Sequence, residues 1–257
     1  MTRLLRCIGL LLSPFLAVGA AAAQAPQPKD LTATRPTIVF QSGLGDGGAV
    51  WKKAERALQN RYPVFSYDRP GYAGVPQAEG GRDPCSIARE LHELLAARGL
   101  KPPYLLVGHS LGGLYQYVYA RLYPGEVAGL VLVDPTHPQH WATMQREAPD
   151  TALLIKSIGW SMGAAGKREF ADQAICTDAL DTRPLALPAR ILVRTRPQPM
   201  ETPRFRDMER RLQRDWLRLT GVEANLPVKD AGHYIQKDRP EAVAAAVDAV
   251  AAQAAGR

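Results

Sequence analysis

The chain has 257 residues, of which 46% are hydrophobic and 22% are charged, and its formal net charge at pH 7 is +7. This length suits one compact domain with a single large core. The charge gives little support to a nucleic-acid partner, because the basic residues cluster mostly in one segment, 204–218, where apolar residues recur at helical spacing. We expect that segment to be an amphipathic helix with a solvated basic face.

The N-terminal segment, residues 1–23, has the pattern of a secretory signal peptide. Arg3 and Arg6 precede an apolar stretch, which ends in a run of alanines that closes at Ala23. Cleavage after Ala23 would satisfy the small-x-small rule, and the alanine-rich end disfavours a permanent membrane anchor, the alternative interpretation. We therefore expect an exported protein, periplasmic or secreted, without stable membrane insertion after cleavage. Residues 24–35 are predicted to be an extended leader.

Between residues 36 and 253, strand-like apolar runs alternate with helical patterns. Strands are predicted at 37–40, 64–67, 104–107, 130–133, 190–193 and 225–228. Helices are predicted at 49–60, 86–98, 114–122, 203–219 and 240–252. This alternation predicts an α/β fold, with a mostly parallel open sheet and helices on both faces. The interval of about 136–188 interrupts the alternation directly after a strand, so it is predicted to be a small helical cap insertion.

The strand predicted at 104–107 leads into Gly108-His109-Ser110-Leu111-Gly112, which a helical pattern follows. A serine at such a strand–turn–helix junction is typical of a nucleophile elbow, because small residues let the backbone turn tightly and lift the hydroxyl above the sheet. A second Gly-x-Ser-x-Gly pattern surrounds Ser161, but the run before it has helical spacing and contains Lys156. We therefore predict Ser110 as the nucleophile and place Ser161 in a lid helix.

A serine nucleophile needs a histidine base and a carboxylate that orients it. His233 follows the last predicted strand, and the carboxyl ends of parallel strands face the site in folds of this kind. Asp134 closes the strand at 130–133 and is the favoured acid. After the penultimate strand no carboxylate occurs until Glu201, which is the alternative acid. A loop-capping role is the structural alternative for Asp134.

An acyl-transfer site also needs two backbone N–H groups to bind the oxyanion, one directly after the nucleophile and one from the loop after an early strand. Leu111 is predicted to supply the first donor and Leu44 the second. The glycine-rich turn around Leu44 lacks the lysine and the serine or threonine of a P-loop, so a nucleotide site is disfavoured.

Two cysteines, Cys85 and Cys176, follow the predicted signal peptide. In an oxidising compartment such a pair tends to form a disulfide, and two buried free thiols are the alternative. The cysteines and histidines have no zinc-site spacing, and the predicted chemistry requires neither a metal nor an organic cofactor.

Taken in chain order, these features resemble the α/β-hydrolase fold superfamily over about residues 36–253. The motifs that carry the resemblance are the turn at 43–47, the sequence Asp68-Arg69-Pro70-Gly71-Tyr72, the Ser110 elbow, Asp134-Pro135 and Gly232-His233. The resemblance implies a Ser-His-acid triad, an oxyanion hole at Leu44 and Leu111, and a cap between the sixth and seventh strands of the family. Two features depart from the family pattern: Ser42 replaces the common histidine before the glycine turn, and the usual acid after the seventh strand is missing.

The function predicted from these residues is cleavage of a carboxylic ester, or a related acyl bond, in a small-molecule substrate through an acyl-enzyme. Dehalogenases of the superfamily carry an aspartate at the elbow, so Ser110 disfavours that activity. Two alternatives stay open: a catalytically silent binding protein, and a cofactorless lyase or peroxidase on the same scaffold. Apolar residues of the cap are expected to line the pocket or to form the cap's own core. These are Trp141, Met144, Leu153, Leu154, Trp160 and Met162.

Overall fold

The computed structural model describes residues 35–158, 162–198 and 201–257. The predicted signal peptide and the predicted leader up to residue 34 lie outside the described residues, and so do Trp160 and Ser161. Within the described ranges, none of the helices combines the length and the apolar character that crossing a bilayer requires.

Six strands form one sheet in the described part of the chain. They are β1 (Thr37–Gln41), β2 (Val64–Phe65), β3 (Tyr104–His109), β4 (Val127–Val133), β5 (Ala189–Arg194) and β6 (Leu226–Val228). The order across the sheet is β2-β1-β3-β4-β5-β6, and every pairing is parallel. The predicted parallel α/β fold is confirmed. The strand order reverses direction between β1 and β3, which is where open α/β sheets form a crevice for ligands.

Helices pack on both faces of this sheet. They are α1 (Lys52–Leu58), α2 (Pro84–Ala97), α3 (Leu111–Leu122), α4 (His140–Glu147), α5 (Pro149–Ile158), α6 (Ala164–Asp172), α7 (Pro203–Thr220), α8 (Ile235–Asp238) and α9 (Pro240–Ala255). One core joins α2, α3 and the end of α7 to strand residues such as Leu106 and Ile191. The other joins α1 and α9 to Leu105 and Leu192. Neighbouring strand residues alternate between the two cores because successive side chains point to opposite faces.

Two element boundaries differ from the prediction because of glycine. β4 begins at Val127, three residues before the predicted strand, and includes Gly129. A Cβ at that glycine would lie 2.2 Å from Cγ1 of Val250, so the missing side chain lets α9 pack directly on β4. Similarly, α3 begins at Leu111 rather than at residue 114, and its first turn contains two glycines. All three glycines therefore allow close packing inside an element rather than ending it.

Residues 136–188, here called the β4–β5 segment, contain α4, α5 and α6. Helices α4 and α5 share a small apolar core with α7, which includes Met144, Ala152 and Met208, with Trp141 packed at its edge. Of the apolar residues predicted to line a pocket or a cap core, Met144 and Trp141 thus lie in or against this separate core, whereas the Leu153 side chain is exposed. The arginines of α7 lie on its opposite, solvent-exposed face.

Candidate active site

Ser110 lies at the junction of β3 and α3 in a strained backbone conformation. Its φ is 52° and its ψ is −124°, a combination that residues with a side chain rarely adopt. The neighbouring glycines make this turn possible. A Cβ at Gly108 would lie 2.4 Å from the carbonyl oxygen of Gly112, and a Cβ at Gly112 would lie 2.3 Å from that of Gln41. The backbone around Ser110 is thus packed so closely that no side chain fits on either side.

Neighbouring backbone hydrogen bonds hold this turn in place. The N–H of Ser110 donates to the carbonyl oxygen of Val133 at 3.1 Å, and the N–H of Thr136 donates to the carbonyl oxygen of Ser110 at 3.0 Å. The Ser110 hydroxyl itself is half-buried, 3.5 Å from the hydroxyl of Thr136. The strained conformation is therefore fixed by β4 and the residues that follow it.

His233 and Asp134 form a short hydrogen bond. His233 lies in the loop between β6 and α8, and its Nδ1 donates to Oδ2 of Asp134 at 2.6 Å. Asp134 directly follows β4 with a φ of 44°, and its side chain is 2% exposed. Because Nδ1 carries the donated hydrogen, Nε2 is the ring atom that can accept another proton. The structure thus brings together two of the three residues predicted for a triad, at the edge of the sheet where Ser110 also lies.

The pKa of Asp134 is lower than its ordinary value. Burial of the carboxyl raises the pKa, but the hydrogen bond from His233 and the charge of Arg194 together outweigh burial. Asp134 therefore stays ionised at neutral pH and can orient the imidazole.

Glu201, the alternative acid, binds Arg194 instead of a histidine. Its Oε1 accepts a hydrogen bond from Nη2 of Arg194 at 2.6 Å. The same guanidinium donates through Nη1 to Oδ2 of Asp134, and the backbone N–H of Arg194 lies 3.3 Å from Oδ1. In the structure, Asp134 is thus the carboxylate that binds His233. Arg194 lies between Asp134 and Glu201. Sequence reasoning passed over Arg194, although it stands directly after a predicted strand where the family usually carries its acid.

His109 supports the loop that carries His233. Its Nε2 donates to the backbone carbonyl oxygen of His233 at 2.9 Å, and the two ring centroids are 4.6 Å apart. Burial, together with the proximity of His233, lowers the pKa of His109 to about 3. At neutral pH this ring is therefore an uncharged support. The sequence places His109 within the Gly108–Gly112 motif but gives no signal for this contact.

The two predicted oxyanion donors lie near Ser110: Leu111 directly follows it, and a Cβ at Gly43, the residue before Leu44, would lie 3.2 Å from the Ser110 Cβ. Leu111 is the first residue of α3, so its N–H has no carbonyl partner within the helix. Leu44 follows Gly43, whose carbonyl oxygen accepts a hydrogen bond from Nη2 of Arg69 at 2.8 Å. Because a trans peptide is planar, the Leu44 N–H points away from that carbonyl. Arg69 therefore sets the direction of the Leu44 N–H, and it also binds the carbonyl oxygen of Ser42 at 2.6 Å.

Arg69 is held in turn by Glu169 of α6. Oε1 and Oε2 of Glu169 accept hydrogen bonds from Nε and Nη2 of Arg69, at 3.0 and 2.9 Å. Arg82 and the Tyr72 hydroxyl also donate to this carboxylate, at 2.9 and 2.8 Å. The Glu169 side chain is fully buried; burial raises its pKa, but these partners hold the pKa below its ordinary value. The β4–β5 segment is thus connected to the loop that carries Leu44, a contact that no sequence pattern indicated.

Cys85 and Cys176 are joined by a disulfide, which connects the first turn of α2 to the residues after α6. Asp83 lies near these two residues, and among the described residues the three form a group of potential metal ligands. The sulfurs are bonded to each other, and the Asp83 carboxylate accepts hydrogen bonds from the first backbone amides of α2 at 3.0 Å. The two cysteines therefore form the disulfide, and the Asp83 carboxylate caps the N-terminus of α2.

Comparison with known proteins agrees with this architecture. The model of the alpha/beta hydrolase fold family matches residues 36–157. An esterase from Thermogutta terrifontis superimposes with a TM-score of 0.62 at 20% identity, covering 87% of this chain and 92% of that chain. The protein has the α/β-hydrolase fold. The epoxide hydrolase CorEH is a further structural neighbour of this chain, with a TM-score of 0.63 at 15% identity, covering 85% of this chain and 92% of that chain.

Sequence similarity to curated proteins covers a smaller part of the chain. The chain is 35% identical over 99 residues to YqjL of Bacillus subtilis (strain 168), a protein described as uncharacterized. The match covers 38% of this chain and 39% of YqjL. This chain therefore spans less than half of the length of that relative.

Proposed function

We propose that this α/β-hydrolase is a serine hydrolase that cleaves a carboxylic ester through a Ser110-His233-Asp134 triad. The observation that carries the proposal is the 2.6 Å hydrogen bond from His233 Nδ1 to Asp134 Oδ2, at the edge of the sheet where Ser110 occupies the strained elbow. A buried, ionised carboxylate on Nδ1 fixes the tautomer in which Nε2 acts as the base. The likeness to an esterase supports the substrate class.

In the proposed mechanism, Nε2 of His233 takes the hydroxyl proton of Ser110 while Oγ attacks the substrate carbonyl. The N–H groups of Leu44 and Leu111 stabilise the oxyanion that forms. His233 then gives its proton to the leaving alcohol, which leaves an acyl group on Ser110. Water, activated by His233, attacks this ester and releases the acid product. Asp134 stays ionised throughout and stabilises the imidazolium.

The N-terminal pattern leads us to propose that the enzyme is exported. A disulfide persists in an oxidising compartment and is rare in the cytosol, so the bond between Cys85 and Cys176 agrees with export. Counting the free thiols of denatured, unreduced protein tests this bond, and two titratable thiols would contradict it.

The test of the activity is hydrolysis of p-nitrophenyl esters of increasing acyl length, together with labelling by a fluorophosphonate. We expect Ser110→Ala to lose both signals and Ser161→Ala, the matched control from the second Gly-x-Ser-x-Gly pattern, to keep both. An unmodified protein that neither hydrolyses nor becomes labelled would support the silent binding protein. Labelling at Ser110 with products other than an acid and an alcohol would support a lyase or peroxidase.

A further inference from the structure

Arg194 ties the acid of the proposed triad to a second carboxylate. All three side chains are well buried: Asp134 is 2% exposed, Glu201 is 6% exposed and Arg194 is 11% exposed. The guanidinium donates a hydrogen bond from Nη1 to Asp134 Oδ2 and another from Nη2 to Glu201 Oε1. Oδ2 of Asp134 is also the atom that accepts Nδ1–H from His233. One carboxylate oxygen thus receives both the imidazole and a permanent cation.

This arrangement matters because His233 has to become an imidazolium during acyl transfer. A lone carboxylate stabilises that cation, whereas an arginine on the same oxygen opposes it. Glu201 lies on the other side of the arginine and offsets its charge. Within this group of three side chains, two anions and one cation leave a net charge of −1 beside the imidazole, the same charge that a simple triad supplies. Glu209 of α7 also attracts Arg194, and it lies against His140.

We propose that Arg194 and Glu201 are positioning residues of the triad: Arg194 fixes the Asp134 carboxylate, and Glu201 offsets the arginine so that His233 faces one net negative charge. The proposal rests on the proposed function in one respect only, since it takes His233 as the base. Neither residue contacts the reacting atoms in this scheme, and both act through Asp134.

Other charged and titratable groups surround this cluster from several elements. They are His109 on β3, His140 on α4, Arg196 after β5, Arg206, Glu209 and Arg210 on α7, and Lys237 and Asp238 on α8. Several of them form pairs. His140 Nε2 lies 2.8 Å from Glu209 Oε1, and Arg196 Nη2 lies 2.5 Å from Asp238 Oδ2. Among the described residues, Arg194 and His233 are the side chains that form hydrogen bonds with the Asp134 carboxylate. We therefore expect those two contacts to dominate the charge that His233 experiences.

The experiment is an NMR titration of the His233 imidazole, assigned by comparison with His233→Gln. Removing the cation in Arg194→Gln should raise the titration midpoint by about one pH unit, because two anions then face the ring. Removing the outer anion in Glu201→Gln should lower the midpoint by a smaller amount. The double variant restores one net negative charge, so its midpoint should lie within a few tenths of a pH unit of the parent, an estimate for offsetting charges.

Two matched controls separate charge from structure. Arg194→Lys keeps the cation and should keep the midpoint near that of the parent. Arg183→Gln removes the same charge from an exposed pair with Asp181, near the C-terminal end of α3, and should leave the midpoint unchanged. A purely structural role for Arg194 would lower stability without these opposite shifts. If Arg194→Gln does not fold, Glu201→Gln decides the question, and an unmoved midpoint in that variant overturns the proposal.

The titration also keeps this proposal separate from the proposed activity. The pH dependence of fluorophosphonate labelling at Ser110 should move in parallel with the midpoint in each variant. A parent protein that is never labelled would contradict the serine hydrolase, while the NMR midpoints would still test the charge arrangement. If the parent is labelled but the His233 midpoint is the same in the parent and in every variant, only the role of Arg194 and Glu201 is overturned.

Discussion

At the proposed triad one arginine lies between two carboxylates, whereas at the loop that carries Leu44 one carboxylate lies between two arginines. Both clusters are buried and both use bridging guanidinium groups, yet they contact different partners. Arg194 reaches the carboxylate that holds His233, so its charge acts on a group that gains and loses a proton. Arg69 reaches two backbone carbonyls, so it fixes the direction of a peptide. The comparison teaches that the atom contacted decides whether a buried ion pair tunes charge or sets geometry.

The largest expected effect is on the triad side. Asp134→Asn should lower kcat for ester hydrolysis by about 10⁴-fold, because the amide no longer holds the imidazole in the right tautomer or stabilises its charge. Steady-state kinetics with a p-nitrophenyl ester measures this effect. Glu201→Gln is the matched control and should lose much less activity. An equal loss in the two variants would contradict the assignment of Asp134 as the acid.

On the oxyanion side, the expected effect is on stability. Glu169→Gln should lower the free energy of unfolding by about 3–5 kcal/mol, because it leaves the buried cation of Arg69 without a carboxylate and removes one of the two carboxylates that bind Arg82. Urea denaturation measures the change. Asp207→Asn, which breaks an exposed pair with Arg210, should change stability by less than about 1 kcal/mol. If Glu169→Gln costs no more than that control, the cluster contributes little to the fold.

The disulfide lies on the same side of the molecule as Glu169, and its removal should have a smaller effect. Replacing Cys85 and Cys176 with serine should lower the free energy of unfolding by about 2–4 kcal/mol, since the reduced chain gains conformational freedom when unfolded. Chemical denaturation of the double variant and of the reduced parent should give the same value. Because the proposed triad is held by other contacts, we expect the folded double variant to keep the proposed esterase activity.

The smallest effect concerns His109, whose pKa burial lowers to about 3 from an ordinary value of 6.5. Below pH 6.5 the unfolded chain takes up this proton before the folded protein does, so stability falls as the pH drops toward 3. The loss from His109 should reach about 2 kcal/mol at pH 4.5. His137, whose pKa burial lowers to about 4, contributes in the same direction.

Urea denaturation between pH 6.5 and pH 4.5 tests this prediction. His109→Gln should flatten the pH dependence of the unfolding free energy, whatever its stability at neutral pH. A variant with the same slope as the parent would show that His109 is not buried as an uncharged ring. That result would also contradict the role of this ring in supporting the His233 loop.

Much of the fold could be predicted from the sequence because its signals are local. The alternating apolar runs predicted the parallel sheet, and the glycines around Ser110 predicted the turn between β3 and α3. The choice between Asp134 and Glu201 was harder, since both side chains follow neighbouring strands of the sheet. Only their three-dimensional placement separates the carboxylate that meets His233 from the one that meets Arg194.

The contacts of Glu169 and His109 could not be predicted for a different reason. Glu169 stands among ordinary charged residues of α6, and its burial depends on where the β4–β5 segment packs. His109 contacts a backbone carbonyl 124 positions away in the chain, and a carbonyl gives no residue-type signal. Charge pairs and backbone contacts across such distances have no periodicity that a sequence pattern could reveal.

The close approach at Gly108 and Gly112 also determines where this protein can be engineered. A saturation library that includes these two positions would consist mostly of misfolded clones, because any added Cβ lies within 2.4 Å of a backbone oxygen. The surface of α5 offers the opposite situation, with Leu153 68% exposed. Mutational tolerance should therefore rise steeply from the elbow toward α5, and libraries that aim to change substrate range should be directed to the β4–β5 segment.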